Sequence, residues 1–124
     1  MGEALTSQWT TVDAWILACV TRDWSSVEQL IAGADALDHS IPTHREFTSS
    51  IGALMQSGLV EAHGLKFRLT SAGHAIREHW SGGFSDWAAA LVTALQVVPR
   101  GESSLELSVK SFDDAYQRYW SRPI

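Results

Sequence analysis

Apolar residues recur every three or four positions along most of the chain, the spacing that places them on one face of an α-helix. The first such stripe predicts a helix over about 11–22, opened by a capping pattern at 10–13 in which a hydroxyl and a carboxylate satisfy free N–H groups. The second predicts a helix that begins at Ser25 and ends before Pro42, because the residue preceding a proline is pushed out of the helical conformation.

The clearest helix start lies at Thr43, which together with Glu46 fits the S/T-x-x-E capping box. Apolar side chains follow at helical spacing, and Gly58 stands where a left-handed residue commonly ends a helix. A third helix is therefore predicted over about 44–57.

A tight β-hairpin is predicted directly after this helix. Residues 59–62 and 65–69 flank the dipeptide His63-Gly64, and apolar and basic residues alternate in the second segment. Glycine adopts a positive φ without strain and histidine tolerates it, so His63-Gly64 is expected to form the two-residue loop. The side chains predicted to be buried are Leu65, Phe67 and Leu69, and those predicted to face solvent are Lys66 and Arg68.

Three more helices are predicted in the rest of the chain. The fourth is capped by Thr70 or Ser71, the fifth runs from Ser85 to Pro99, and the last begins at Ser111. One face of the fourth is expected to carry Ala72, Ala75, Ile76 and Trp80. The fifth is apolar nearly all round, so it is expected to be buried on more than one side. Weak alternation over 105–109 predicts a short strand.

Composition adds that the chain is a single globular domain of 124 residues, 45% of them hydrophobic. A lone Cys19 is typical of a reducing compartment, no secretory signal is visible, and no apolar run is long enough to span a bilayer. We therefore expect a cytoplasmic protein. The tryptophans are expected mainly in the core; those considered are Trp15, Trp24, Trp80, Trp87 and Trp120.

The run Phe47–Gly73 resembles a winged helix-turn-helix domain. It reads Phe-Thr-Ser-Ser-Ile-Gly-Ala-Leu-Met-Gln-Ser-Gly-Leu-Val-Glu and then, from within the second segment of the predicted hairpin, Phe-Arg-Leu-Thr-Ser-Ala-Gly. It is similar to bacterial regulators of the multiple-antibiotic-resistance and PadR kinds. The resemblance covers about 11–80 and implies a mainly α fold with a small β-hairpin wing (α+β), in which 84–124 is a C-terminal helical extension of the three-helix core.

The same resemblance implies that the third helix enters the major groove of duplex DNA and that the wing touches phosphates. Carried over by position, the DNA-binding residues are His44, Arg45, Thr48, Ser49, Gly52, Lys66 and Arg68. The exposed apolar surface of the fifth helix would make a homodimer, with Trp87, Leu91, Leu95 and Val98 at the interface. The first hypothesis is thus a dimeric transcriptional regulator that binds DNA.

Charge favours a second hypothesis, a winged-helix module that binds a protein partner and no DNA. The net charge is −5, whereas a nucleic-acid-binding domain is commonly basic. Residues 1–42 contain one arginine and six acidic residues, and 43–80 contain four basic and three acidic residues. Since each phosphate contact requires about one cation, a monomer is expected to bind duplex DNA weakly.

Catalysis and metal binding find little support. The five histidines lack the spacing of a zinc site, and the sole cysteine is distant in sequence from the nearest of them. Asp38-His39 and His74 with Glu78 are acid–imidazole pairs without a neighbouring nucleophile, and no glycine-rich phosphate loop occurs. We expect no enzyme, no metal and no cofactor.

Overall fold

The computed structural model of the chain describes residues 8–80 and 86–121. In chain order its elements are α1 (Thr11–Cys19), β1 (Ser25–Ser26), α2 (Val27–Asp38), α3 (His44–Gln56), β2 (Val60–His63), β3 (Lys66–Leu69), α4 (Ser71–Arg77), α5 (Trp87–Leu95) and α6 (Val109–Ser121). The described part of the chain is mainly helical with a small antiparallel sheet, which confirms the predicted α+β class.

Local capping chemistry sets the starts of the first three helices. The predicted capping boxes of α1 and α3 are present, with Thr10 paired to Asp13 and Thr43 to Glu46. In α2 the box forms one residue later than predicted, because Ser26 and not Ser25 accepts from the backbone of Gln29. The helix α1 ends at Cys19, three residues before its predicted end.

The predicted hairpin is present, and a third strand extends it. The strand order is β1-β3-β2, and both pairings are antiparallel. His63 pairs with Lys66, so the two-residue loop is Gly64-Leu65 and the predicted loop His63-Gly64 is wrong by one residue. Gly64 has a φ of +62°, as a tight turn requires. Leu65 lies at the tip and is 45% exposed, contrary to prediction, whereas Phe67 and Leu69 are buried.

The core forms around α1, which packs against α2, α3 and α5. Phe47 of α3 is fully buried and contacts Phe67 of the hairpin edge to face, with ring centroids 6.4 Å apart. On its other side Phe47 contacts Phe112 of α6, at 5.6 Å. Because α5 packs on α1 and α6 packs on α2, the C-terminal helices belong to the same packed body as the first three.

Several C-terminal predictions are wrong. The segment 105–109 forms no strand, and α6 begins at Val109, two residues before its predicted start. On the face of α4 that was expected to carry Ala72, Ala75, Ile76 and Trp80, the two alanines are exposed and the two larger side chains are half-buried. The predicted start of the fifth helix at Ser85 lies outside the described residues, and the helix is described from Trp87. Of the tryptophans expected in the core, Trp15 and Trp87 are buried and Trp80 is half-buried, while Trp24 and Trp120 are 38% and 58% exposed.

The proposed dimer residues of α5 lie in the core of their own chain. Leu91 and Leu95 are fully buried, Trp87 is 9% exposed, and Val98 is half-buried against the same core. These side chains therefore pack mainly within their own chain. The sequence did not reveal this arrangement, because an all-apolar helix has no polar face from which its outward side can be recognised.

Candidate interaction face on helix α3

The connection between α5 and α6 crosses the face of α3 that was predicted to read DNA. We call residues 101–107 the strap. It runs antiparallel to α3, from Ser57 at the C-terminal end to His44 at the N-terminal end. The covered residues of α3 lie four apart, on one ridge of the helix. They are His44, Thr48, Gly52 and Gln56.

The strap is held to this ridge mainly through its backbone. The N–H of Leu105 donates to the carbonyl oxygen of Thr48 at 2.9 Å, and Nε2 of His44 donates to the carbonyl oxygen of Leu107 at 2.6 Å. Near the other end, Oε1 of Gln56 accepts from the N–H groups of Glu102 and Ser103, at 2.6 and 2.8 Å. These bonds align an extended segment along almost the whole helix.

Gly52 allows the strap to approach this closely. A β-carbon at this position would lie 2.6 Å from Cα of Ser104 and 2.7 Å from the backbone nitrogen of Leu105, with the carbonyl oxygen of Ser103 in its path. The obstructing atoms are all backbone, so no side-chain rotation relieves the overlap. The face is therefore shaped for a passing polypeptide backbone.

A buried ion pair fastens the chain at the start of the strap. Arg100 donates from Nε to Oδ2 of Asp13 at 2.9 Å and from Nη2 to Oδ1 at 3.0 Å, which is the bidentate geometry that makes such pairs strong. Oγ of Ser50 donates to the same Oδ1 at 2.7 Å, and the N–H of Thr10 donates to Oδ2 at 2.9 Å. One carboxylate thus joins α1, α3 and the strap.

The surroundings of this pair favour its charged form. Burial by itself raises the pKa of Asp13, but the hydrogen bonds from Arg100, Thr10 and Ser50 and the charge of Arg100 bring the pKa below its ordinary value of 3.8. The hydrogen bond to Asp13 raises the pKa of Arg100 above its ordinary value, against the effect of burial. The Arg100 guanidinium also lies over the ring of Trp9, 5.5 Å from its centroid.

Apolar contacts fasten the other end of the strap. Leu105 and Leu107 are half-buried against the core, and the intervening Glu106 is exposed. Beyond them Phe112 is buried, and its ring meets the ring of His44 edge to face at 5.8 Å. The strap therefore presents an alternating pattern, with two leucines turned towards the protein and an acidic side chain turned towards solvent.

The structure separates the residues that were predicted to bind DNA into two groups. His44, Thr48 and Gly52 lie beneath the strap, so they have no open path to a base edge in this arrangement. The prediction assumed that the outer ridge of α3 faces solvent, whereas in this structure the strap lies across it. Arg45 is exposed and Ser49 is half-buried, beside a cavity of about 290 Å³ that also adjoins the Asp13–Arg100 pair.

The two basic residues of the hairpin differ in their contacts. Lys66 is exposed. Arg68 is half-buried, donates from Nε to Oε2 of Glu61 at 2.8 Å, and places its guanidinium 4.3 Å from the ring centroid of Trp24. Part of the positive charge predicted for the hairpin is therefore already paired within the chain.

The strap also changes the charge of the α3 surface. It adds the exposed carboxylates of Glu102 and Glu106, while Arg45 is the basic residue of α3 that stays exposed. A negatively charged cover disfavours the approach of phosphates through simple repulsion. Steric and electrostatic effects thus act in the same direction on this face.

A second concave surface lies between α4 and α5. It encloses about 640 Å³ and is lined mainly by apolar or small side chains, among them Ile76, Ala90, Ala94 and Val97. Val97, two residues beyond the end of α5, is 82% exposed, so this surface keeps an exposed apolar side chain. We call this surface the α4–α5 groove.

Other kinds of site find no geometric support among the described residues. No three side chains of His, Cys, Asp or Glu converge there as metal ligands. Burial raises the pKa of the Cys19 thiol to about 12, which leaves this sulfur unreactive at neutral pH. The helices within 8–80 and 86–121 all fall short of the length and apolar character that crossing a membrane demands.

Comparisons with protein-family models, with curated proteins and with solved structures find no match to this chain. No relative therefore indicates what this protein does. Sequence reasoning missed its two main features, the strap and the Asp13–Arg100 pair. Asp13 was visible as a capping residue, but no local pattern joins residue 13 to residue 100.

Proposed function

We propose that this protein is a protein-interaction module built on a winged-helix scaffold, and that it does not read duplex DNA through α3. The scaffold assignment is supported by the element order α1-β1-α2-α3-β2-β3 and by the hairpin that follows α3. The lone, unreactive Cys19 is consistent with a role in the cytoplasm.

The observation that carries the proposal is the strap across α3. A helix that reads DNA inserts its outer ridge into the major groove, where side chains reach base edges. Here that ridge accepts and donates hydrogen bonds to the chain's own backbone, at Thr48 and His44. The net charge of −5 adds repulsion to this occlusion.

A duplex-binding measurement tests the proposal. We expect a fluorescently labelled duplex of mixed sequence to show no rise in anisotropy with this protein at 20 to 50 mM salt, roughly the range in which phosphate contacts are strongest. Binding that weakens as salt increases, and weakens again in the double variant Arg45→Ala/Lys66→Ala, would instead support the DNA-binding regulator and overturn the proposal.

The homodimer remains part of the proposal, with a different surface. We propose that the α4–α5 groove and not the buried stripe of α5 meets the second copy, because Val97 and its small neighbours leave apolar surface open there.

Light scattering of two matched variants tests this surface. Val97→Asp places a charge on the groove, and Val109→Asp places one on an exposed valine of α6, outside the groove. We expect the wild type and Val109→Asp to show dimers at micromolar to millimolar concentration and Val97→Asp to be monomeric. A monomeric wild type over that range contradicts the proposed dimer.

A further inference from the structure

The α3 ridge, formed by His44, Thr48, Gly52 and Gln56, already binds a segment of its own chain, the strap. Recognition uses the backbone of the strap at Leu105 and Leu107, and the amide oxygen of Gln56 at two successive N–H groups. Backbone recognition of an extended segment, with pockets for alternate side chains, is a general mode of peptide binding. The geometry of the ridge is therefore informative about which other segments it can accept.

Gly52 restricts the kinds of segment that can bind the α3 ridge. The absence of a side chain there admits a polypeptide backbone that passes within van der Waals contact of the helix. Two half-buried leucines, 105 and 107, separated by an exposed glutamate, supply the side-chain anchors. An extended segment with two leucines separated by one solvent-facing residue reproduces these anchors, and the strap has a glutamate at the solvent-facing position.

The strap is also among the parts of the structure best suited to local opening. Glu102, Ser103, Ser104 and Glu106 are exposed, so most of its side chains contribute no burial. Segments with few buried apolar contacts and exposed backbone hydrogen bonds open at a lower free energy than the whole fold. Arg100 directly precedes the strap and is bound to Asp13, so this pair opposes its opening.

We propose that the α3 ridge is a binding site for an extended, acidic Leu-x-Leu segment of a partner protein, and that the strap occupies this site until the partner displaces it. This inference rests on the proposed role as a protein-interaction module and names the site and the partner chemistry. A partner has to compete with the strap, so its apparent affinity falls by the fraction of molecules in which the ridge is open.

The test uses a labelled peptide with the sequence of residues 101–108, Gly-Glu-Ser-Ser-Leu-Glu-Leu-Ser. Its binding is followed by anisotropy with the full-length wild type and with the double variant Leu105→Asp/Leu107→Asp, whose strap has lost its apolar anchors. We expect the peptide to bind the double variant at least roughly tenfold more tightly than the wild type, because the intramolecular competitor is removed.

Two controls establish that the peptide occupies the ridge. Adding Gly52→Val to the double variant is expected to abolish binding, since a side chain at this position fills the space of the peptide backbone. Adding Gly33→Ala is expected to leave binding unchanged, because a β-carbon there makes only ordinary contacts, the nearest at 3.5 Å. Circular dichroism verifies that each variant is folded.

If the double variant does not fold, Arg100→Gln serves in its place, because it loosens the strap without changing the leucines. No peptide binding to a folded, strap-released variant overturns the inference, as does binding that survives Gly52→Val. A labelled duplex is measured in parallel with the same variants. If neither ligand binds, this inference alone fails; if the duplex binds and the peptide does not, the proposed function fails with it.

Discussion

Asp13 shows how much of the structure can depend on one side chain. It is 1% exposed and accepts hydrogen bonds from α1, α3 and the residue that precedes the strap. A buried carboxylate is tolerated only when its charge is paired and its oxygens are hydrogen-bonded, and both conditions hold here. Its capping role was visible in the sequence, but its contacts with Ser50 and Arg100 were not.

We predict that Asp13→Ala lowers the free energy of unfolding by about 3–5 kcal/mol, because it leaves the partly buried Arg100 and the buried Ser50 without their partner. Urea denaturation followed by circular dichroism measures the change. Asp114→Ala is the matched control: this carboxylate pairs with Lys110 on the exposed surface, and the expected loss is at most about 1 kcal/mol.

Acid should destabilise the wild type partly through the same residue. The pKa of Asp13 is lower in the folded chain than its ordinary value of 3.8, so its charged form stabilises the fold above that pH. This contribution is lost as the pH falls through the lowered pKa. We expect the unfolding free energy of Asp13→Asn to depend less steeply on pH below about 4 than that of the wild type. Parallel slopes for the two proteins would contradict the assignment.

At the scale of elements, the strap and α3 form one unit. The ridge of α3 has small or polar residues where a core helix would have large apolar ones, and this composition resembled a solvent-facing surface. Packing a backbone against a helix needs the same residues, since small side chains let the backbone approach and polar ones satisfy its N–H and C=O groups.

We predict that Gly52→Ala displaces the strap. The added methyl group overlaps backbone atoms of Ser103, Ser104 and Leu105, and relief requires the strap to move, at a cost of about 1–3 kcal/mol in unfolding free energy. Hydrogen exchange should show faster exchange at the N–H of Leu105, which now bonds to Thr48.

The control is Gly33→Ala in the interior of α2. There the nearest atom to an added β-carbon is Cβ of Cys19 at 3.5 Å, an ordinary contact. Since alanine favours helix more than glycine does, we expect a neutral or stabilising effect of up to about 1 kcal/mol. Equal destabilisation by the two substitutions would show that the strap is not the cause.

At the scale of the whole molecule, the C-terminal helices complete the core and are not an appendage to it. The inner side of α5 packs on α1, Nε1 of Trp9 donates to the carbonyl oxygen of Val98 at 2.7 Å, and α6 covers Phe47 through Phe112. The hydrogen bond from Trp9 alone joins residues 89 positions apart in sequence. We therefore expect the described part of the chain to unfold as one cooperative unit.

We predict that Leu91→Ala lowers the unfolding free energy by about 2–5 kcal/mol, because its side chain is fully buried within the chain. Val97→Ala, at an exposed position just beyond the end of the same helix, is expected to change it by less than about 0.5 kcal/mol in the monomer. Thermal unfolding at two dilute protein concentrations distinguishes burial of Leu91 within its own chain from a place in a dimer interface. If Leu91 lay in the interface, the effect of Leu91→Ala on stability would depend on protein concentration.

Features that depend on neighbouring residues were predicted correctly from the sequence, whereas features that depend on contacts between distant residues were not. The capping boxes at Thr10 and Thr43, the positive φ at Gly58 and the existence of the hairpin were all read from residues within a few positions of one another. Errors of one residue, at Ser26 and at the hairpin loop, arose where two neighbouring residues had similar chemistry. The larger errors concerned which face of α3 and of α5 is covered.

The sequence by itself determined the helices, the hairpin and the mainly α, α+β class, because caps, turns and apolar periodicity are local signals that each segment carries on its own. Only the tertiary structure decided what those elements do. The pairing of Asp13 with Arg100, and of Thr48 with Leu105, joins segments whose proximity depends on how every helix between them packs. That packing covers the ridge of α3, which the sequence indicated as a DNA-binding face, with backbone of the same chain.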